Sequence, residues 1–225
     1  MFEENNNKKG PINKALIFAI VGVTLLVVAV AGSAYAYYSA TVQNTSTVTG
    51  NAGGGAAPTL TVTKLSTSAT GNLIPIDANA DTLTKGALGW DSTNKKMNTA
   101  WNATYACKDK NAYSVCQIYS VTLKNNSSNT MKFNIGVTAL TGTNTPNIDV
   151  VKMASNISVT TVTSIKGSTT GIASAVSLNS GATTSTYYIM VFIKNLSSAQ
   201  TDNGSFKGTI TATSTTGAQV KATFA

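Results

Sequence analysis

Cys107 and Cys116 are the only two cysteines in this 225-residue chain, and they flank the octapeptide KDKNAYSV. Thiols this close can form a disulfide or supply half of a metal site, but the chain has no histidine to complete a zinc shell. The missing histidine also removes the usual general base and excludes ordinary serine or cysteine triads. Asp77, Asn79 and Asp81 alternate like the first oxygen ligands of a calcium loop, yet Thr82 stands where that loop needs glycine and Leu88 where it needs glutamate. The expected reading is an Asx-rich turn. Trp90 and Trp101, the only two tryptophans, can either stack on a pyranose ring or cover the core. These residues point to no cofactor, no metal and no enzyme, and to a disulfide closing a small hairpin ring.

The elements around them belong to an exported β protein. Charged residues make up only 11% of the chain, against about 25% in ordinary soluble proteins, so Thr, Ser, Asn and Gly must form the surface. The formal net charge is +8, and all 16 basic residues are lysine. They are scattered, and without arginine the bidentate recognition of phosphate or guanine is lost, so nucleic acid is not an expected partner. Sequons begin at Asn44, Asn102, Asn125, Asn126, Asn156, Asn195 and Asn203, candidate glycosylation sites in a host that modifies exported proteins.

Lys8, Lys9 and Lys14 precede the apolar run ALIFAIVGVTLLVVAVA at 15–31, and small residues follow, ending in Ala34-Tyr35-Ala36. This is the layout of a signal peptide over 1–36, cut before Tyr37, with membrane contact only before processing. The run is also near the minimum for an uncleaved anchor. In a third arrangement a prepilin peptidase cuts after Gly10 and the helix is retained as a type IV pilin core, although Ala15 stands where most bacterial pilins carry Glu. The C-terminal VKATFA carries no apolar tail or sorting motif, so the expected location is extracellular, at the cell surface by assembly or binding.

Beyond residue 58, alternation of apolar with Thr or Ser marks strands at 59–65, 100–107, 116–124, 131–140, 156–165, 171–178, 185–194, 205–213 and 219–225. Turn clusters such as KNNSSN, LNSGAT and TDNG separate them. The expected fold over 59–225 is an all-β two-sheet sandwich or jelly roll. The run YYIMVFI at 187–193 is apolar on both faces, which predicts a central strand covered from both sides. Segment 66–99 reads as a long loop with one or two short strands, and no amphipathic helix is evident after the signal segment.

Residues 37–49, YYSATVQNTSTVT, can form a strand with Tyr38, Ala40, Val42, Asn44, Ser46 and Val48 on one face. A Gly-rich linker at 50–58 follows, long enough to reach roughly 26 Å at about 3.3 Å per residue. A hairpin needs only two to five residues, so this tether suits a strand that leaves its own domain and adds to another sheet. The stretch SAYAYYSATVQNTSTVTGN (33–51) resembles the start of the TasA/camelysin family of exported biofilm-matrix proteins, whose signal peptides are removed by a dedicated peptidase. CQIYSVTLKNNSSNTMKFNIGVT (116–138) is similar to that family's strand, turn, strand unit, and IKNLSSAQTDNGSFKGTITATST (193–215) resembles its closing strands. The resemblance implies a jelly roll that polymerises when the N-terminal strand of one copy enters a groove on the next, with the scissile bond at Ala36–Tyr37. The expected function is a structural subunit of an extracellular filament. Its partners would be copies of itself, with an accessory assembly protein or extracellular polysaccharide as further candidates. The alternatives are the pilin with its helix retained and a monomeric carbohydrate-binding adhesin.

Overall fold

A computed structural model describes residues 38–39, 57–65, 72–143, 147–196 and 205–225. The apolar run at 15–31, the donor positions 40–49 and most of the linker lie outside these residues. Twelve strands and one helix are described: β1 (Tyr38–Ser39), β2 (Thr59–Lys64), β3 (Asn72–Leu73), α1 (Ala80–Leu88), β4 (Trp90–Asp91), β5 (Lys96–Met97), β6 (Gln117–Lys124), β7 (Met131–Thr143), β8 (Ile148–Met153), β9 (Ala173–Leu178), β10 (Tyr187–Ile193), β11 (Ser205–Ser214) and β12 (Gln219–Phe224).

Eight strands form two antiparallel sheets, ordered β2-β6-β10-β8 and β12-β11-β7-β9. The sandwich is as expected, but its strand order is not that of a jelly roll. With β2, β6, β7, β8, β10, β11 and β12 taken as A to G, the sheets read A-B-E-D and G-F-C, the order of an immunoglobulin constant-type sandwich, and β9 adds one strand beside C. The first and last strands of the sandwich are edges of opposite sheets and lie against each other.

Period-two alternation decides which side chains enter the space between the sheets. Leu60 and Val62 of β2, Tyr119, Val121 and Leu123 of β6, and Val220, Ala222 and Phe224 of β12 all join one buried cluster. Gly208 of β11 faces Phe224 in register. A Cβ there would meet the Phe224 ring at 2.0 Å, so this glycine makes room for the largest residue of the last strand.

β10 is covered on both faces. Ile189, Val191 and Ile193 enter the core between the sheets, whereas Met190 and Phe192 join a second cluster with Leu83 and Ala87 of α1, Val115, Cys107 and Cys116. The chain between β3 and β6 is therefore a third layer over the outer face of the first sheet. Both sheets and both clusters lie within the compact unit of residues 36–225, which carries its own folding core.

Several sequence expectations are corrected here. Segment 66–99 contains a helix: the Asn79 side chain accepts the Thr82 N–H at 2.8 Å as the N-cap, Asp81 pairs with Lys85 at 2.7 Å, and Gly89 closes the C-terminus. Segment 100–107 is not a strand, because Asn102 gathers the N–H groups of Thr104, Tyr105 and Ala106 into a turn. Segment 156–165 is likewise irregular, since Asn156 Oδ1 accepts from Ser158 N–H and Oγ at 3.3 and 2.7 Å and Ile157 sits at φ 61°. β8 has the burial pattern of a strand covered on both faces, and IDVVKM shows no alternation to mark it in the sequence.

Candidate functional site

The disulfide forms as expected. Cys107 and Cys116 are 4.9 Å apart at Cα and fully buried in the second cluster. Val115 N–H donates to the Cys107 carbonyl at 2.9 Å beside it, so the bond closes a short hairpin against the outer face of β6 and β10. Loop entropy for a ring of this length corresponds to about 2.5–3 kcal/mol. The Cys107→Ala/Cys116→Ala protein is expected to lose that much in urea denaturation, and an unchanged midpoint would show that the third layer contributes no stability through its cross-link.

The two sheet edges are the second feature. β2 pairs only with β6 and β12 only with β11, so each keeps one side without a strand partner among the described residues. Such edges are templates for an added strand. Lys64 shares the inward parity of Leu60 and Val62 and stands opposite Tyr119 in register. The Tyr119 hydroxyl lies against Gln117 Oε1 and reaches the Ala225 oxygen at 2.9 Å. Two donors are left over: Lys64 Nζ and Gln117 Nε2 are buried with no acceptor among the described residues. Buried donors of this kind are rare in folded proteins.

Burial lowers the Lys64 pKa from 10.5 to about 8. The unfolded chain thus holds a proton that the folded chain has released, and stability must rise with pH from about 8 upward. Burial raises the pKa of Tyr119 and Tyr187 above the ordinary 10.0. Unfolded tyrosines ionise first, so the gain reverses above that pH. Urea midpoints at intervals from pH 7 to 11 should show a maximum near pH 10. Lys64→Met should be more stable than the parent at pH 7 and should lack the rise; a parent profile flat across pH 8–10 would contradict this.

The first residues of the expected donor strand are seen only at β1, where Tyr38 and Ser39 pair antiparallel with Leu73 and Asn72. Within one chain, then, this segment starts beside β3, whose Leu73 joins the core between the sheets, and is not paired there with β2 or β12. The scissile positions Ala34, Ala36 and Tyr37 and the donor positions Ala40, Val42, Asn44, Ser46 and Val48 lie outside the described residues.

Comparison with family models, curated proteins and solved structures finds no match to this chain.

The remaining candidates have identifiable positions. Asp77 accepts the Asn195 amide at 3.0 Å, so with Asn79 capping α1 and Asp81 paired to Lys85, all three calcium-like positions serve local structure. Glycans attach through Asn Nδ2, and several of the sequon amides are already in use. Asn125 is fully buried and its Nδ2 donates to the carbonyls of Asn129, Leu178 and Asn179, which is incompatible with a glycan on the folded protein. Asn126 Nδ2 donates to the Ala57 carbonyl and Thr59 Oγ1, both at 2.8 Å, and is corrected in the same way. Asn102 and Asn156 are exposed, while Asn44 and Asn203 lie outside the described residues. Trp90 sits in β4 opposite Met97, and Trp101 packs half-buried on the second cluster.

Proposed function

We propose that this protein is an exported structural subunit that assembles with copies of itself by adding a strand of one copy, residues 37–49, to a sheet edge of the next. The observation that carries the reading is the pair of buried, acceptor-less donors, Lys64 Nζ and Gln117 Nε2, at the end of a sandwich whose edges β2 and β12 lie side by side without further strand partners. An added strand brings main-chain hydrogen bonds of roughly 0.5–1.5 kcal/mol each to a free edge. Because the contact is head-to-tail, it does not close on itself and produces a filament. The Thr/Ser/Asn surface, the disulfide and the resemblance of 33–51 to exported fibre proteins accord with this role.

The test is negative-stain microscopy of the protein beginning at Tyr37 beside the same protein beginning at Pro58. Filaments are expected from the first and only monomers from the second. Folded monomers from both, or filaments from both, would rule out residues 37–57 as the polymerising element.

A further inference from the structure

A cleft of about 430 Å³ opens on the outer face of the first sheet, beside the third layer. That is within the roughly 300–1,000 Å³ common for small-molecule sites. Its apolar walls are Trp101, Tyr188 and Ile157, and its polar groups come from Ser120, Asn156 and Thr186. Tyr188 and Ser120 are direct cross-strand partners of β10 and β6, so a rigid sheet supplies one aromatic ring and the hydroxyl next to it. Trp101 is brought up by the turn that Asn102 organises.

Three observations bear on the occupant. In a chain of formal charge +8, no charged side chain among the described residues lines this cleft, so an ionic ligand gains nothing from them. Trp101 lines the cleft while its indole N–H is turned into the protein, buried with no acceptor among the described residues, so it is the ring that the cleft presents. Ile157, a buried β-branched residue, is held at φ 61°, a conformation costly for such a side chain and one that accumulates where ligands are clamped. The turn is fixed by Ile157 N–H donating to the Ala154 carbonyl at 3.0 Å and Ala154 N–H to the Ser158 carbonyl at 2.8 Å.

We infer that this cleft binds a neutral oligosaccharide, with Trp101 and Tyr188 against the apolar faces of the sugar rings and Ser120, Asn156 and Thr186 meeting its hydroxyls. Uncharged rings edged with donors and acceptors match aromatic walls and a neutral polar lining. The inference is independent of strand assembly, because one copy carries every lining residue. Asn156, which lines this cleft, is then a ligand contact.

The probes are hexasaccharides of β-1,4-glucose, α-1,4-glucose, β-1,3-glucose and β-1,4-N-acetylglucosamine, with a hexamer of galacturonic acid as the charged control. They are titrated into the protein beginning at Pro58, the form expected to stay monomeric and the one that carries every lining residue, with indole nitrogen–proton NMR signals and calorimetry as readouts. At least one neutral hexamer is expected to bind and shift the Trp101 signal while leaving that of Trp90 in place, with an affinity unaffected by added salt. Trp101→Ala and Tyr188→Ala should each weaken it about tenfold or more. Thr186→Val, an exposed change that keeps side-chain shape, should weaken it with no effect on folding. The inference is overturned if no neutral hexamer moves the Trp101 signal at about 10 mM, or if binding survives all three substitutions. It is equally overturned if the signal moves with protein concentration alone, which would place a second copy in the cleft.

Discussion

Gly89→Ala is expected to lower stability by roughly 3–5 kcal/mol, measured as the urea-unfolding free energy of the protein beginning at Pro58, the form expected to stay monomeric. Two separate penalties add at this residue. Gly89 ends α1 at φ 76° and ψ 172°, a region essentially reserved for glycine, while its N–H donates to the Lys85 carbonyl at 2.8 Å. A Cβ built there would also stand 1.7 Å from the Tyr105 carbonyl oxygen, a main-chain atom that cannot rotate away. The 102–106 turn carries Tyr105 directly onto the C-terminus of the helix, where Cys107 N–H donates to the Gly86 carbonyl at 3.0 Å. Gly217 provides the control, since it has φ 87° with open space around its Cβ position. Gly217→Ala should cost only the conformational part, about 1–2 kcal/mol. Equal losses from the two substitutions would mean that the 102–106 turn yields freely and that the third layer is not packed as described.

Asn125→Ala is expected to cost about 3 kcal/mol, although it removes one small polar side chain. Its amide spans two turns. Nδ2 donates to the carbonyls of Asn129, Leu178 and Asn179 at 2.8, 3.0 and 3.2 Å, while Oδ1 accepts from Ser127 N–H and Oγ at 3.0 and 2.8 Å. The main chain reinforces the clamp: Asn125 N–H donates to the Ala182 carbonyl and Gly181 N–H to the Asn125 carbonyl. The β6–β7 turn of one element pair is thereby fixed to the β9–β10 turn. Alanine leaves the buried Leu178 carbonyl without this donor, a larger penalty than the hydrogen bond itself. Asn125→Asp sharpens the test, because it sets carboxylate oxygens against carbonyl oxygens in a buried site. Burial raises such a carboxyl's pKa, so the folded variant holds its proton more tightly than the unfolded chain does. Its deficit should be smallest in acid and should grow as pH rises above about 4. A deficit independent of pH would show that the side chain is hydrated and not part of a buried clamp.

These two sites also mark where reading the chain residue by residue reaches its end. KNNSSN is legible as a turn, because Asn and Ser compete locally for the backbone, yet nothing in those six letters shows that Leu178 and Asn179 receive the Asn125 amide. Similarly, Gly89 reads as a loop residue until Tyr105 is known to pass above it. The helix α1 is not legible from periodicity, because its short apolar pair Leu83 and Ala87 falls among threonines and the Asn79 and Asp81 spacing fits a calcium loop as readily as a helix start. Apparent alternation at 100–107 and 156–165 was overridden by Asx turns at Asn102 and Asn156.

The sequence alone determined the sandwich class, seven of its eight strands, the double-sided burial of β10 and the Cys107–Cys116 bond. Each follows from short-range rules: the two-residue period of strands, the apolar run of YYIMVFI, and two thiols a few residues apart. Tertiary structure decided the strand order, the third layer over β10 and the exclusion of Asn125 from glycosylation. It also placed the unmatched donors of Lys64, Gln117 and Trp101. These depend on which distant segments meet, and such meetings are settled by packing and hydrogen-bond satisfaction across the whole domain, which no local pattern encodes.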